Sequence, residues 1–141
     1  MLISSVRRSD IQGRKVFEVG EKLYFNDIGI RNAIAGFSPF DMGKIIENVV
    51  YLHLKTSGYS LLIGKQNDRE VDFVAERKGE KIYFQVALRI VEISTMEREF
   101  GNLLAIKDNF PKYVITMDDF TGASHEGIQH IPLKEFLHKF R

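Results

Sequence analysis

The chain has 141 residues, 28% charged and 44% hydrophobic, with a formal net charge of +1 and no cysteine. One domain with its own core is expected at this length, and the missing cysteines exclude disulfides and thiolate metal sites and suit a reducing cytoplasm. No apolar run approaches the roughly 18 residues of a membrane helix, no signal peptide is expected because Arg7-Arg8 follows a short apolar start, and the charge excludes a strongly basic nucleic-acid binder while leaving room for a local patch.

Residues 1–25 read as an extended, partly β segment, with Val16–Val19, a break at Gly20, and Lys22–Phe25. Asn26-Asp27 can cap a short helix over Ile28–Ala35 that Gly36 ends. Asp41 is expected to cap a longer helix with a broad stripe of Ile45, Ile46, Val49, Val50, Leu52 and Leu54, stopped by Thr56-Ser57-Gly58. A strand follows over Tyr59–Gly64, then a hairpin with arms Glu70–Glu76 and Lys81–Leu88. Ser94-Thr-Met-Glu97 is a capping box for a helix to about Asp108, with Phe100, Leu103, Leu104 and Lys107 inward. Pro111 resets the chain, Lys112–Met117 reads as a buried strand, 118–126 as loop and Gly127–Ile131 as a short strand. Pro132 opens a last helix with Leu133, Phe136, Leu137 and Phe140 inward. The division expected is a strand and short-helix extension over 1–36 and a core over 37–141, in one compact body.

The hairpin carries the chemistry. Both arms alternate apolar and polar residues, and Lys78-Gly79 can form a two-residue turn because glycine accepts positive φ. Closed there, Val71 faces Val86, Phe73 faces Phe84 and Ala75 faces Ile82, which makes this the core face. On the other face Asp72 lies opposite Gln85, and Glu70 opposite Ala87. An acid facing a Glu or Gln, with a lysine two residues further on, resembles the metal-and-base arrangement of PD-(D/E)XK nucleases. Here Ala87 stands where that lysine would be.

The element order from the long helix onward, α-β-β-β-α-β-β-α, resembles the restriction-endonuclease-like core, an α/β (α+β) fold with a mixed central sheet flanked by helices. Lys22-Leu-Tyr-Phe-Asn-Asp-Ile-Gly-Ile-Arg-Asn-Ala, Gly43-Lys-Ile-Ile-Glu-Asn-Val-Val-Tyr-Leu, Gly58-Tyr, Glu70-Val-Asp-Phe-Val, Gln85-Val86, Glu97-Arg-Glu-Phe-Gly and Pro111–Asp118 occur together in order. In this the chain resembles, over roughly residues 8 to 141, the uncharacterised C-terminal domain of bacterial and archaeal AAA-type ATPases. The resemblance implies a PD-(D/E)XK-like fold downstream of a P-loop ATPase domain and no established activity. The chain has no G-x-x-x-x-G-K-[ST] of its own. Either the ATPase half lies elsewhere in a longer protein or in a partner, or the protein stands alone.

On this reading Glu47, Asp72 and Gln85 are the candidate catalytic and metal-holding residues, with Mg²⁺ or Mn²⁺ as the ion. Each has a structural alternative: Glu47 as a solvated helix acid, Asp72 in a salt bridge, Gln85 paired with Asp72 through its amide NH₂. Loss of the lysine at Ala87 removes an electrostatic contributor of the kind worth roughly 10²–10³ in rate. Lys65 and Arg89 are the candidate substitutes, although arginine is a poor proton acceptor. Lys134, Lys139 and Arg141, with Arg14 and Lys15, are candidate phosphate contacts for DNA or RNA, or simply solvated surface. His53, His125 and His130 lack metal-ligand spacing, and Arg98 can bridge toward Asp72. The expected function is a catalytically degraded nuclease-like domain acting in nucleic-acid binding or regulation. An active nuclease with a relocated base, and a protein-interaction or homo-oligomerisation module, stay open.

Overall fold

The computed structural model describes residues 1–11, 16–90, 93–119 and 124–141, with backbone alone for 16–19 and 93–96. Strands β1 (Ile3–Asp10) and β2 (Val16–Phe25) pair antiparallel, and helices α1 (Ile28–Ala35) and α2 (Met42–Thr56) follow. Strands β3 (Ser60–Gln66), β4 (Arg69–Arg77) and β5 (Glu80–Val86) form a meander. Helix α3 (Ile93–Leu104) crosses to β6 (Lys112–Thr116), and β7 (Ser124–His125), β8 (Ile128–Pro132) and α4 (Leu133–Lys139) complete the chain. The sheet is mixed and eight-stranded in the order β2-β1-β3-β4-β5-β6-β8-β7.

Two apolar clusters lie on its faces. Val50, Tyr51 and Leu54 of α2 and Phe136 of α4 pack with Phe73, Ala75, Ile82 and Phe84 on one side. Phe100 and Leu103 of α3 pack with Val71, Val74, Tyr83 and Val114 on the other. Among the described residues no helix is long and apolar enough to cross a membrane.

Much of the local reading holds. Asp27 caps α1 by accepting from the Ile30 N–H, and Gly36 at φ 73° ends it. The hairpin pairs Phe73 with Phe84 and Ala75 with Ile82, and its turn has φ 52° at Lys78 and 82° at Gly79. Positive φ at both positions is the primed turn whose twist matches the strands.

Other expectations need correction. Gly20 does not break the strand: at φ 88° it lies within β2, and a Cβ there would meet Arg8 Nη1 at 2.6 Å. The N-terminal segment is therefore continuous with the sheet, since β1 also pairs parallel with β3. Asp41 stands at the N-cap position of α2 as expected, but its side chain makes no cap bond. It belongs to a 3-10 turn (Pro39–Asp41), and its carboxylate holds Arg31 at 2.9 Å. On α2 the polar Asn48 is buried, while Ile45, Val49 and Leu52 are only half-buried. Asn48 accepts from the Phe25 N–H at 2.9 Å and donates to its carbonyl at 2.8 Å, tying β2 to the helix.

Helix α3 starts at Ile93, so Ser94 lies inside its first turn; the Ser94 side chain falls outside the described residues, and Glu97 is exposed. Its inner face carries Phe100, Leu103 and the partly buried Leu104, as expected, whereas Lys107 lies past the end of the helix and is exposed. A short strand, β7, lies in the stretch expected to be loop. Pro132 is the N-cap of α4 rather than its first residue.

Candidate functional site

The site begins with one extra residue in β4. Leu62 of β3 pairs with Val74, but two residues on Gly64 pairs with Val71, so β4 spends three residues against two. Such a bulge turns one side chain to the opposite face. Val71 and Val74 consequently share the α3 side, which uninterrupted alternation forbids. This corrects the sequence expectation, which put Val71 with Phe73. Asp72 is turned beside Phe73, toward α2.

Two bonds lock the bulge. Asp72 Oδ2 accepts from the Val86 N–H at 2.9 Å, and Gln85 Oε1 accepts from the Asp72 N–H at 3.2 Å. The predicted Asp72–Gln85 juxtaposition is present, but it runs through the Asp72 backbone rather than from the amide NH₂ to the carboxylate.

A residue the sequence reading missed stands at the centre. Lys22 of β2 places its ammonium 2.8 Å from Glu70 Oε1, 3.1 Å from Glu47 Oε1 and 3.1 Å from Asp72 Oδ1. Arg8 Nε holds the other Glu70 oxygen at 3.0 Å, and the Tyr24 hydroxyl donates to Glu47 at 2.6 Å. Only the alternation of β2 hinted at this: Lys22 and Tyr24 are two apart and share a face.

Three acids thus face two cations, and the surplus negative charge falls on the most buried acid. Burial first, and then the charge of Glu47, push the Asp72 carboxyl up to about 7, against the pull of Lys22 and the Val86 N–H. Burial opposes the Lys22 ammonium, but Asp72, Glu47 and Glu70 together outweigh it and hold its pKa above the ordinary lysine value. These directions are compatible, because Lys22 keeps Glu47 and Glu70 as partners when Asp72 takes a proton. Burial also disfavours the ionised Glu70, yet hydrogen bonds from Lys22 and Arg8 bring its pKa below the usual value. Tyr24 is raised by burial and by Glu47, so it stays a neutral donor.

The donor set does not fit the expected Mg²⁺ or Mn²⁺. An ammonium sits among the acids, and Asp72 Oδ2 and Gln85 Oε1 are taken by backbone N–H groups. Among the described residues no group of three His, Cys, Asp or Glu is arranged to hold a metal.

The residues expected to substitute for a lysine at position 87 are also displaced. Ala87 is buried just past the end of β5, its N–H bonded to the Ile115 carbonyl. Arg89 therefore lies beyond the strand, exposed, in the cleft over Asp72. Lys65 is exposed opposite Glu70 and does not line that cleft.

The cleft has a volume of ≈ 510 Å³, and Glu47, Asp72 and Gln85 all line it. Arg98 lines it too, bridging its neighbour Glu99 rather than Asp72. The C-terminal basic residues do not. Lys134 is exposed, Lys139 donates to the Tyr113 hydroxyl at 3.2 Å, and the Arg141 carbonyl accepts from Arg77, at the opposite end of β4 from Asp72. Arg14 and Lys15 lie outside the described residues.

Residues 42–136 match the family model described as a domain of unknown function, DUF4143. An uncharacterized protein of Haemophilus influenzae is 32% identical over 136 residues, which is 96% of this chain and 33% of that protein. The chain thus spans about a third of the length of that curated relative. No solved structure gives a significant match.

Proposed function

Since this chain belongs to the DUF4143 family, and since its acids are neutralised from within, we propose that it is a restriction-endonuclease-like domain converted from cleavage to nucleic-acid binding or regulation beside an AAA-type ATPase. The observation that carries this reading is the Lys22 ammonium lying 2.8–3.1 Å from Glu70, Glu47 and Asp72. An ammonium cancels charge as a metal ion would, but it neither polarises a phosphoryl oxygen nor generates hydroxide from bound water. With its pKa held up, Lys22 is no base either. The length of the Haemophilus relative, about three times the matched segment, is compatible with a domain joined to an ATPase.

Incubation of the protein with DNA and RNA in Mg²⁺ or Mn²⁺, followed by electrophoresis, tests this. Salt-sensitive binding without cleavage is expected. Cleavage abolished by Asp72→Ala would overturn the proposal in favour of an active nuclease. The position of Lys22 beside Asp72 makes it, rather than Lys65 or Arg89, the relocated lysine of that second reading. Lys22→Met would then abolish cleavage as well.

A further inference from the structure

The cleft over Asp72 has a rim that the acidic centre does not use. Phe40, on the 3-10 turn before α2, lines it with its side chain 99% exposed. Lys44 and Arg89 line it, exposed and without an ion pair among the described residues. Arg98 adds a third cation, 69% exposed, although Glu99 Oε1 holds it at 2.7 Å. Below them Glu99 is 4% exposed, and its Oε2 has no donor among the described residues.

We propose that this cleft takes a single strand of nucleic acid, with an unstacked base on Phe40, phosphates on Lys44, Arg89 and Arg98, and a base N–H donated to Glu99. The proposal rests on the nucleic-acid reading above and adds strand type and contact residues.

Three physical points favour a single strand. A phenyl ring in full contact with water gains from covering, and every base offers a π-face once it is unstacked. In a duplex those faces are already occupied, and only the charges of the rim would be used. A volume of ≈ 510 Å³ admits a nucleotide or two, not the paired strands of a duplex. The chain as a whole is near neutral, so charge alone supplies a modest pull and stacking must supplement it. A buried carboxylate oxygen lacking a donor is the counterpart of a base-edge amine, as carboxylates accept from cytosine N4.

Fluorescence anisotropy with a labelled oligonucleotide of roughly twelve residues, matching the site sizes of single-strand binders, tests the proposal. The single strand, as DNA or RNA, is expected to bind at least about tenfold tighter than its duplex. Phe40→Ala, at an exposed position that leaves the fold intact by circular dichroism, should weaken single-strand binding roughly 5- to 150-fold while leaving duplex binding within about twofold. With three phosphate contacts, raising salt from about 50 to about 200 mM should weaken it roughly 20-fold. Glu99→Gln should change the ranking of the four homo-oligonucleotides, and an unchanged ranking removes Glu99 from the proposal. Equal affinity for duplex together with an inert Phe40→Ala would overturn this inference and leave the nucleic-acid reading intact. Absence of binding to either form would overturn both.

Discussion

Replacing Lys22 by methionine keeps the length of the side chain and deletes its ammonium. Glu47, Glu70 and Asp72 would then face one another with only Arg8 in compensation. Deleting one member of a buried ion pair costs roughly 3–5 kcal/mol. The Lys22 side chain is 24% exposed and that of Glu70 32%, so solvent screening moves the value to the low end, about 3 kcal/mol. For a domain of this size that is a fall in Tm on the order of 10 °C. The pH dependence is the sharper test. A lysine whose folded pKa is raised contributes stability that is lost only as pH rises through that higher value, so Lys22 does not titrate near neutrality. Asp72 is raised as well, from 3.8 to about 7. Its contribution is complete below the lower value and is lost as pH climbs through the higher one. Without the ammonium, ionising the three acids becomes costlier, so the deficit of Lys22→Met should widen between about pH 5 and about pH 8. Urea unfolding followed by circular dichroism at both pH values, with m unchanged, measures it. A variant within about 0.5 kcal/mol of the parent at about pH 8, or an equal deficit at both pH values, would refute the placement of Lys22.

Three further outcomes follow from the same geometry. Asp72→Asn keeps an acceptor for the Val86 N–H, so its stability relative to the parent should rise between about pH 4 and about pH 7 and then level off in a urea series. A flat difference would mean that Asp72 is ionised throughout. Asn48→Leu leaves both Phe25 backbone groups unpaired and should cost roughly 2–4 kcal/mol by the same assay, whereas a loss under about 0.5 kcal/mol would show that the two bonds are expendable. In Lys22→Met, millimolar Mg²⁺ should raise Tm by taking the vacated place among the carboxylates, while the parent should not respond; equal responses in thermal melts would contradict the plug.

Local signals made much of the fold legible. The Asp27 cap, the Lys78-Gly79 turn and the pairing of Phe73 with Phe84 and Ala75 with Ile82 are decided by neighbours in sequence, and each forms as read. What escaped depends on distant partners. Lys22 is 25 residues from Glu47 and 50 from Asp72, and no periodicity links such positions. The bulge at Asp72 is set by how β3 pairs with β4, so alternation along β4 alone assigns Val71 to the wrong face. Asp41 takes the N-cap position as read, but its carboxylate is drawn to Arg31 on a different helix, which no local signal foretells. The candidate substitutes for the lysine at Ala87 were sought along the same strand or its neighbour, whereas the cation comes from the end of the sheet.

The family match begins at residue 42, yet groups that pair with the acids from outside it stand at 22 and 24, on the outermost ribbon. The charge balance of the centre is therefore set by a segment that lies outside the matched residues yet is built into the same sheet and core. Exchanging that ribbon would alter the charge of the pocket and, through Tyr24 stacked on Tyr51 and Phe25 bonded to Asn48, the packing of α2 as well. A fragment trimmed to the matched boundaries would answer questions about a different molecule, one whose acids have lost their counterion.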